Sequence, residues 1–278
     1  YLWKELGTSC VHLDENHLVV KLFRDILDAV APHVAIITET NVPHSKNISY
    51  FGNGRDEAQM VYNFALPPLL LYTFIAESTE KLTQWARQLE KISDAATFFN
   101  FMDSHDGIGL PGAREILNED EIALMCRTVA ERGGLISHKD NGDGTTSPYE
   151  LNITCYSALN ENGRNEPEWL KIKRYLATRA IPLILSGVPG IYLHGLLGSQ
   201  NAVEAVETDG VARSINRQTL DATRLYDTLK DKDSLTAKIF TAFSDLIIKR
   251  RQHPAFHPNS RQQVLNLTHR LFGVVRST

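Results

Sequence analysis

Apolar residues along this chain alternate between two spacings. In HLVVKLFRDILDAVA (17–31), Val19, Leu22, Ile26 and Val30 recur every three or four residues, which predicts a helix with one apolar face. Pro32 ends it. VAIIT (34–38) is short and β-branched, the pattern of a strand buried in a parallel sheet. MVYNFAL (60–66) predicts a second strand. PPLLLYTFIAESTEKLTQWARQLEK (67–91) predicts one long helix with proline at its start. TFFNFM (97–102) predicts a third strand, and EDEIALMCRTVAERGG (119–134) a helix closed by glycine. EPEWLKIKRYLATRA (166–180) reads as a helix, and the core of IPLILSGVPGIYL (181–193) as the fourth strand. SLTAKIFTAFSDLIIKRRQ (234–252) predicts the last helix.

Three stretches depart from this alternation. Residues 135–165 are polar and turn-rich around one strand-like island, YELNITCY, and read as an inserted loop or small subdomain. Residues 194–233 read as irregular. The tail RQQVLNLTHRLFGVVRS reads as two strands with a turn, the start of a C-terminal β-domain at 257–278. Strand and helix otherwise alternate, so the fold class is α/β with a parallel sheet. A (β/α)8 TIM barrel has eight such units in roughly 250 residues. The pattern predicts its C-terminal half: barrel at 1–134 and 166–256, the insertion at 135–165 between them.

Composition excludes several classes. The chain has 278 residues and a formal net charge of −4. It has no Lys/Arg stripe; Lys249, Arg250 and Arg251 sit at a helix end, where positive charge suits the dipole. A nucleic-acid partner is not expected. Cys10, Cys126 and Cys155 lie far apart and outside any CxxC pattern, which suggests reduced thiols in a cytoplasmic protein. The longest apolar run, ALPPLLLYTFIA (65–76), is broken by Pro67 and Pro68, so no membrane span is expected.

Candidate chemistry gathers at strand ends, where barrels carry function. Glu39 directly follows VAIIT, and His105–Asp106 follows TFFNFM. A carboxyl beside an apolar strand meets a low-dielectric wall, the setting in which a carboxylic acid keeps its proton toward neutral pH. Taken alone, Glu39 reads as a helix cap or rim ion pair, and His105 reads equally as a structural histidine or as a ligand. Ser104, His105 and Asp106 are adjacent and diverge, so they form no triad. DNGDG (140–144) has the wrong spacing for a calcium loop and reads as a turn. GNG (52–54) lacks the context of a phosphate loop. Together, two acids and a histidine on neighbouring strand ends match the needs of glycosidic bond chemistry.

At these residues the chain resembles glycoside hydrolase family 13, the α-amylase superfamily. ITETNVPH (37–44) resembles its general-acid motif. FMDSHDGIGL (101–110) resembles its His-Asp motif as found in the sucrose-phosphorylase-like subgroup. YLWKELGTSC, ISYFGNGRDEAQMVYNFALPPLLL, YELNITCYSAL, SGVPGIYLHGLLGS and RSINR resemble further segments of that subgroup, in order along the chain. The resemblance implies Glu39 as acid/base, Asp106 as transition-state stabiliser, and His105 and Arg213 as contacts to the donor sugar. It implies Tyr149 and Glu150 as loop residues on the acceptor and phosphate side. The implied reaction is a retaining transfer of glucose from an α-glucoside to inorganic phosphate, giving α-glucose 1-phosphate. No metal or organic cofactor is implied, and a homodimer is a possible assembly of the full-length enzyme.

Two departures qualify the expectation. The family's nucleophile motif would lie a few residues before Tyr1, so the sequence reads as a fragment lacking the N-terminal half and inactive in isolation. Glu150 stands where sucrose phosphorylases tend to carry Gln, which replaces a donor and acceptor by an acceptor only. Plain sucrose is therefore not the expected preferred donor; sucrose 6′-phosphate and glucosylglycerate are alternatives. The same residues also suit an amylase-family hydrolase or transglucosidase. A non-catalytic truncated product is the remaining reading, and an open half-barrel predicts self-association.

Overall fold

The computed structural model describes residues 2–8, 10–11, 13–161 and 165–278. Tyr1 and Ser9 of the opening motif, and 162–164 of the expected insertion, lie outside the described residues. Helix α1 (Asp14–Val30) leads to strand β1 (Ile37–Thr38), short helix α2 (His44–Asn47) and β2 (Met60–Tyr62). Helices α3 (Leu66–Ile75) and α4 (Glu80–Gln88) follow, then β3 (Thr97–Asn100). After β4 (Ile108–Gly109) come α5 (Glu119–Glu131), β5 (Leu135–Asp140), β6 (Thr146–Asn152) and α6 (Cys155–Leu159). Helix α7 (Glu168–Ile184) precedes β7 (Val188–Pro189). Helices α8 (Leu193–Leu197), α9 (Val203–Asp209), α10 (Ala222–Lys230) and α11 (Leu235–Gln252) lead to β8 (Arg261–Val264) and β9 (Val274–Ser277).

Strands β1, β2, β3 and β7 form one parallel sheet in that order. Each neighbour is the next strand of a βα unit, the arrangement of one half of a (β/α)8 barrel. Buried asparagines lock its register. Asn63 Nδ2 donates to Asn100 Oδ1 at 2.9 Å, and Asn100 Nδ2 donates to the Ser186 carbonyl at 2.9 Å, tying three successive strand ends together. The main core gathers Leu66, Leu69, Leu70, Leu82, Met125 and Tyr175 around the helices that flank the sheet.

Four details differ from expectation. The buried face of α1 is Asn16, Val20 and Arg24, while Leu22, Ile26 and Val30 are exposed. Arg24 is drawn inward because its Nη1 donates to the Val34 carbonyl at 2.9 Å and to Gln59 Oε1 at 2.7 Å. The helix expected over 67–91 is two helices, broken at Glu77, whose φ is +51°. Tertiary contact holds the break: Thr79 N donates to the His269 carbonyl in the tail at 2.6 Å. Helix α7 runs on through IPLI, with Pro182 inside it, leaving only Val188 and Pro189 in the fourth strand. The stretch 194–233 is not irregular but carries three further helices and a 3-10 turn over Ala212–Asn216.

Strands β5 and β6 form an antiparallel hairpin whose inner strand also pairs with β4. YELNITCY is therefore part strand and part helix, since α6 begins at Cys155. Strands β8 and β9 pair antiparallel, and Val264, Phe272 and Val274 pack on the main core. Arg276 Nη1 donates to the Ile184 carbonyl at the end of α7, which fastens the tail to the helical layer.

Candidate functional site

Glu39 leaves the end of β1, and the turn 103–107 leaves the end of β3, so both stand at the C-terminal rim of the sheet. Glu39, His105 and Asp106 each offer a ligand atom, and these atoms lie within 4.8 Å of one another. Tyr62, at the end of β2 between them, stacks among Phe64, Phe99 and Phe101. Burial, and then the charge of nearby Glu39, raise its phenol above the ordinary range. Glu39 and His105 themselves are exposed, and Asp106 is half-buried. The apolar wall expected beside Glu39 is thus on one side only, formed by this aromatic cluster.

The turn carrying Asp106 is held from several directions. Ser104 Oγ accepts from Asp106 N at 3.1 Å. Asn216 Nδ2 donates to the carbonyls of Asp106 at 2.7 Å and Ser104 at 3.3 Å. Arg217 Nε donates to the His105 carbonyl. Asn216 is itself placed by Tyr192, whose hydroxyl donates to its carbonyl at 3.0 Å. On the far side, Asn41 packs so close to Gly109 that a Cβ there would lie 2.1 Å from Asn41 Nδ2. Glycine is required at that approach, which couples the Glu39 loop to the His105–Asp106 loop.

Three groups converge on Asp106 Oδ1: Arg213 Nη1 at 2.7 Å, Arg217 Nη2 at 3.0 Å and His105 Nε2 at 3.6 Å. Two guanidiniums on one carboxylate oxygen hold the Asp106 side chain in place. The same pairing opposes a cation at the Glu39–His105–Asp106 cluster, although its geometry would admit one. Asp103 turns the other way. Its Oδ1 accepts from Arg179 Nη1 at 2.8 Å, and Arg179 lies over the Tyr175 ring at 4.4 Å. The Tyr175 hydroxyl donates to the Gly195 carbonyl at 2.5 Å.

The sequence-predicted residues fall into two groups. Glu39, His105 and Asp106 cluster within 4.8 Å, and Arg213 joins them through Asp106. Tyr149 and Glu150 are not in a loop: both lie on β6, where Glu150 pairs with Gly109 and Ser137 and Tyr149 sits at a β-bulge, its carbonyl accepting from Leu110 N at 2.9 Å. Glu150 is buried and reaches Asp106 only through Arg213, whose Nε and Nη2 donate to Glu150 Oε1 and Oε2 at 2.9 and 2.7 Å. These bonds to Glu150 raise the guanidinium pKa, with Asp106 and Tyr149 adding to the effect. Arg217, Asn216 and the Asp103–Arg179 pair were missed. The available signal was RSINR itself, whose two arginines are spaced to bring both onto one turn.

With this geometry in view, similarity to known proteins is informative. The chain is 49% identical over 268 residues to a glucosylglycerate phosphorylase of Allomeiothermus silvanus, covering 96% of this chain and 48% of that protein. It is 43% identical over 277 residues to a glucosylglycerate phosphorylase of Escherichia coli K12, covering all of this chain and 49% of that one. The chain belongs to the sucrose-phosphorylase-like group of glycoside hydrolase family 13. The crystal structure of sucrose 6F-phosphate phosphorylase from Thermoanaerobacter thermosaccharolyticum superposes with a TM-score of 0.81 at 24% identity. That match covers 100% of this chain and 51% of that one, and it fixes the fold as the family's barrel. No family model matches the sequence. The chain spans about half the length of the curated relatives it matches. Among the described residues, no helix is long and apolar enough to cross a membrane.

Proposed function

We propose that this chain carries the acid/base side of a retaining α-glucoside phosphorylase, a cytoplasmic enzyme that transfers glucose to inorganic phosphate. The observation that carries the proposal is the convergence of Glu39, His105 and Asp106 within 4.8 Å at the rim of a family-13 half-barrel. Glu39 protonates the departing oxygen of the aglycone and later accepts the proton of the incoming phosphate. Asp106, held by Arg213 and Arg217, stabilises positive charge on the flattening sugar ring. His105 and the arginines grip sugar hydroxyls. A further carboxylate is the nucleophile, and retention follows from two displacements.

Glucosylglycerate is the favoured donor. Three relatives at 43–49% identity are glucosylglycerate phosphorylases, and Arg213 and Arg217 stand half-exposed at the rim, where an anionic aglycone meets positive charge. The hairpin within 135–165 shapes the acceptor side through Tyr149, and 257–278 begins a C-terminal β-domain. The test is product analysis with the native polypeptide, phosphate and a panel of glucosylglycerate, sucrose 6′-phosphate and sucrose. α-Glucose 1-phosphate released fastest from glucosylglycerate is the expected result. Free glucose at a rate independent of phosphate would identify a hydrolase instead, and preference for sucrose would overturn the donor assignment.

A further inference from the structure

We infer that Glu150 is a positioning residue that acts on Asp106 through Arg213 rather than a group that meets acceptor or phosphate itself. Both carboxylate oxygens of Glu150 are engaged by the same guanidinium, through Nε at 2.9 Å and Nη2 at 2.7 Å. Only the remaining nitrogen, Nη1, is left to reach Asp106 Oδ1, at 2.7 Å. A planar guanidinium clamped along one edge has its other nitrogen aimed without rotamer freedom. The Glu150 side chain is 3% exposed whereas that of Arg213 is 39% exposed, so the arginine and not the acid faces the site.

The surrounding chain is shaped for this clamp. A Cβ on Gly107, the residue after Asp106, would lie 2.7 Å from Glu150 Cγ, so the turn sits directly on the acid. Strand β6 pairs through Glu150 with Gly109 on one side and Ser137 on the other, which fixes its height. Arg213 descends from the 3-10 turn that also carries Asn216 to the Asp106 carbonyl. Two independent segments, β6 and the 212–216 turn, thus meet at Asp106, and the Glu150–Arg213 pair joins them.

On the phosphorylase reading above, the clamp keeps Asp106 in its stabilising orientation during glucosyl transfer, whatever acceptor follows. The test is a double-mutant cycle in the native polypeptide over Glu150→Gln, Arg213→Lys and both together, with donor, phosphate and kcat resolved. Each single variant is expected to lower kcat about tenfold to a hundredfold while the KM for phosphate stays within about twofold. The double variant is expected to be no worse than either single one. A selective rise in phosphate or acceptor KM for Glu150→Gln with kcat retained, or losses that multiply, would show direct contact and overturn the inference. A polypeptide that transfers no glucose would instead defeat the phosphorylase reading. Nitrogen-15 arginine NMR then decides the clamp alone: a slowly exchanging Arg213 Nε–H that is lost in Glu150→Gln, with Arg217 unchanged, supports it. An Arg213 signal indifferent to Glu150→Gln overturns it.

Discussion

Arg179 and Asp103 form a buried ion pair directly beneath the turn that presents Asp106. Arg179 Nη1 is 2.8 Å from Asp103 Oδ1, and the two side chains are 2% and 16% exposed. Asp103 also fills the space against Gly195, where a Cβ would lie 2.5 Å from its Oδ1. The pair anchors the β3 end to α7 and α8, so Asp106 turns toward the rim while Asp103 turns into the core. Removing the acid leaves a guanidinium buried and unpaired. Asp103→Asn is expected to lower stability by about 3–5 kcal/mol in urea denaturation. A loss below about 1 kcal/mol would mean that the pair is not a structural anchor.

Histidine 44 gives the fold an acid-sensitive point. Its ring stacks on Phe98 and meets the edge of Trp85, both with centroids 6.1 Å away. Burial lowers its pKa from the ordinary 6.5, against an opposing pull from Glu115. The folded state therefore binds fewer protons than the unfolded one below pH 6.5. The associated stability is complete above that value and is lost as pH falls through the lower folded pKa. His194, also lowered by burial, adds in the same direction. The Tm is expected to fall between pH 7 and pH 5, and to fall less in His44→Phe, by scanning calorimetry at both pH values. An equal fall in the variant would remove His44 from the account.

Helix α1 presents Leu18, Leu22, Phe23, Ile26 and Val30 at 45–73% exposure. An apolar stripe of this extent, beside the open edge of β1, drives association in water. Residues 1–278 expressed alone are expected to elute as oligomers in size-exclusion chromatography. Leu22→Glu with Ile26→Lys is expected to shift them toward monomer without loss of helix content. Monodisperse monomer for the unaltered chain would contradict this.

Gly107→Ala probes the packing under Asp106. The added carbon would meet Glu150 Cγ and the Leu151 carbonyl oxygen, both at 2.7 Å. Displacement of β6 is expected to destabilise by about 1–3 kcal/mol. Glucosyl transfer should fall as well. Unchanged thermal unfolding would show that the turn yields freely.

Much of this was legible in the sequence, and the limits have physical causes. Glu39 and His105–Asp106 stood out because charged groups directly follow β-branched or aromatic runs that pair as parallel strands. The buried face of α1 was not legible, because Leu22, Ile26 and Val30 make the better apolar stripe while Arg24 is drawn inward by the bonds of its Nη1 to Gln59 and the Val34 carbonyl and by its ion pair with Asp28. The break at Glu77 has no glycine or proline to announce it; it is held by the tail backbone at His269, far along the chain. The partnership of Glu150 with Arg213 spans 63 residues and depends on where β6 and the 212–216 turn meet, which local pattern does not encode. The bulk of the parallel half-barrel, by contrast, follows from strand and helix periodicities alone.

The most direct test of the account concerns Glu39 as the acid. Glu39→Gln in the native polypeptide would be compared on two donors: glucosylglycerate, whose aglycone needs a proton to leave, and α-glucosyl fluoride, whose fluoride does not. The account predicts a loss of about 100- to 10,000-fold in the rate of aglycone release from glucosylglycerate, with fluoride release near the unaltered rate. An equal loss on both donors, or no loss on glucosylglycerate, would contradict it.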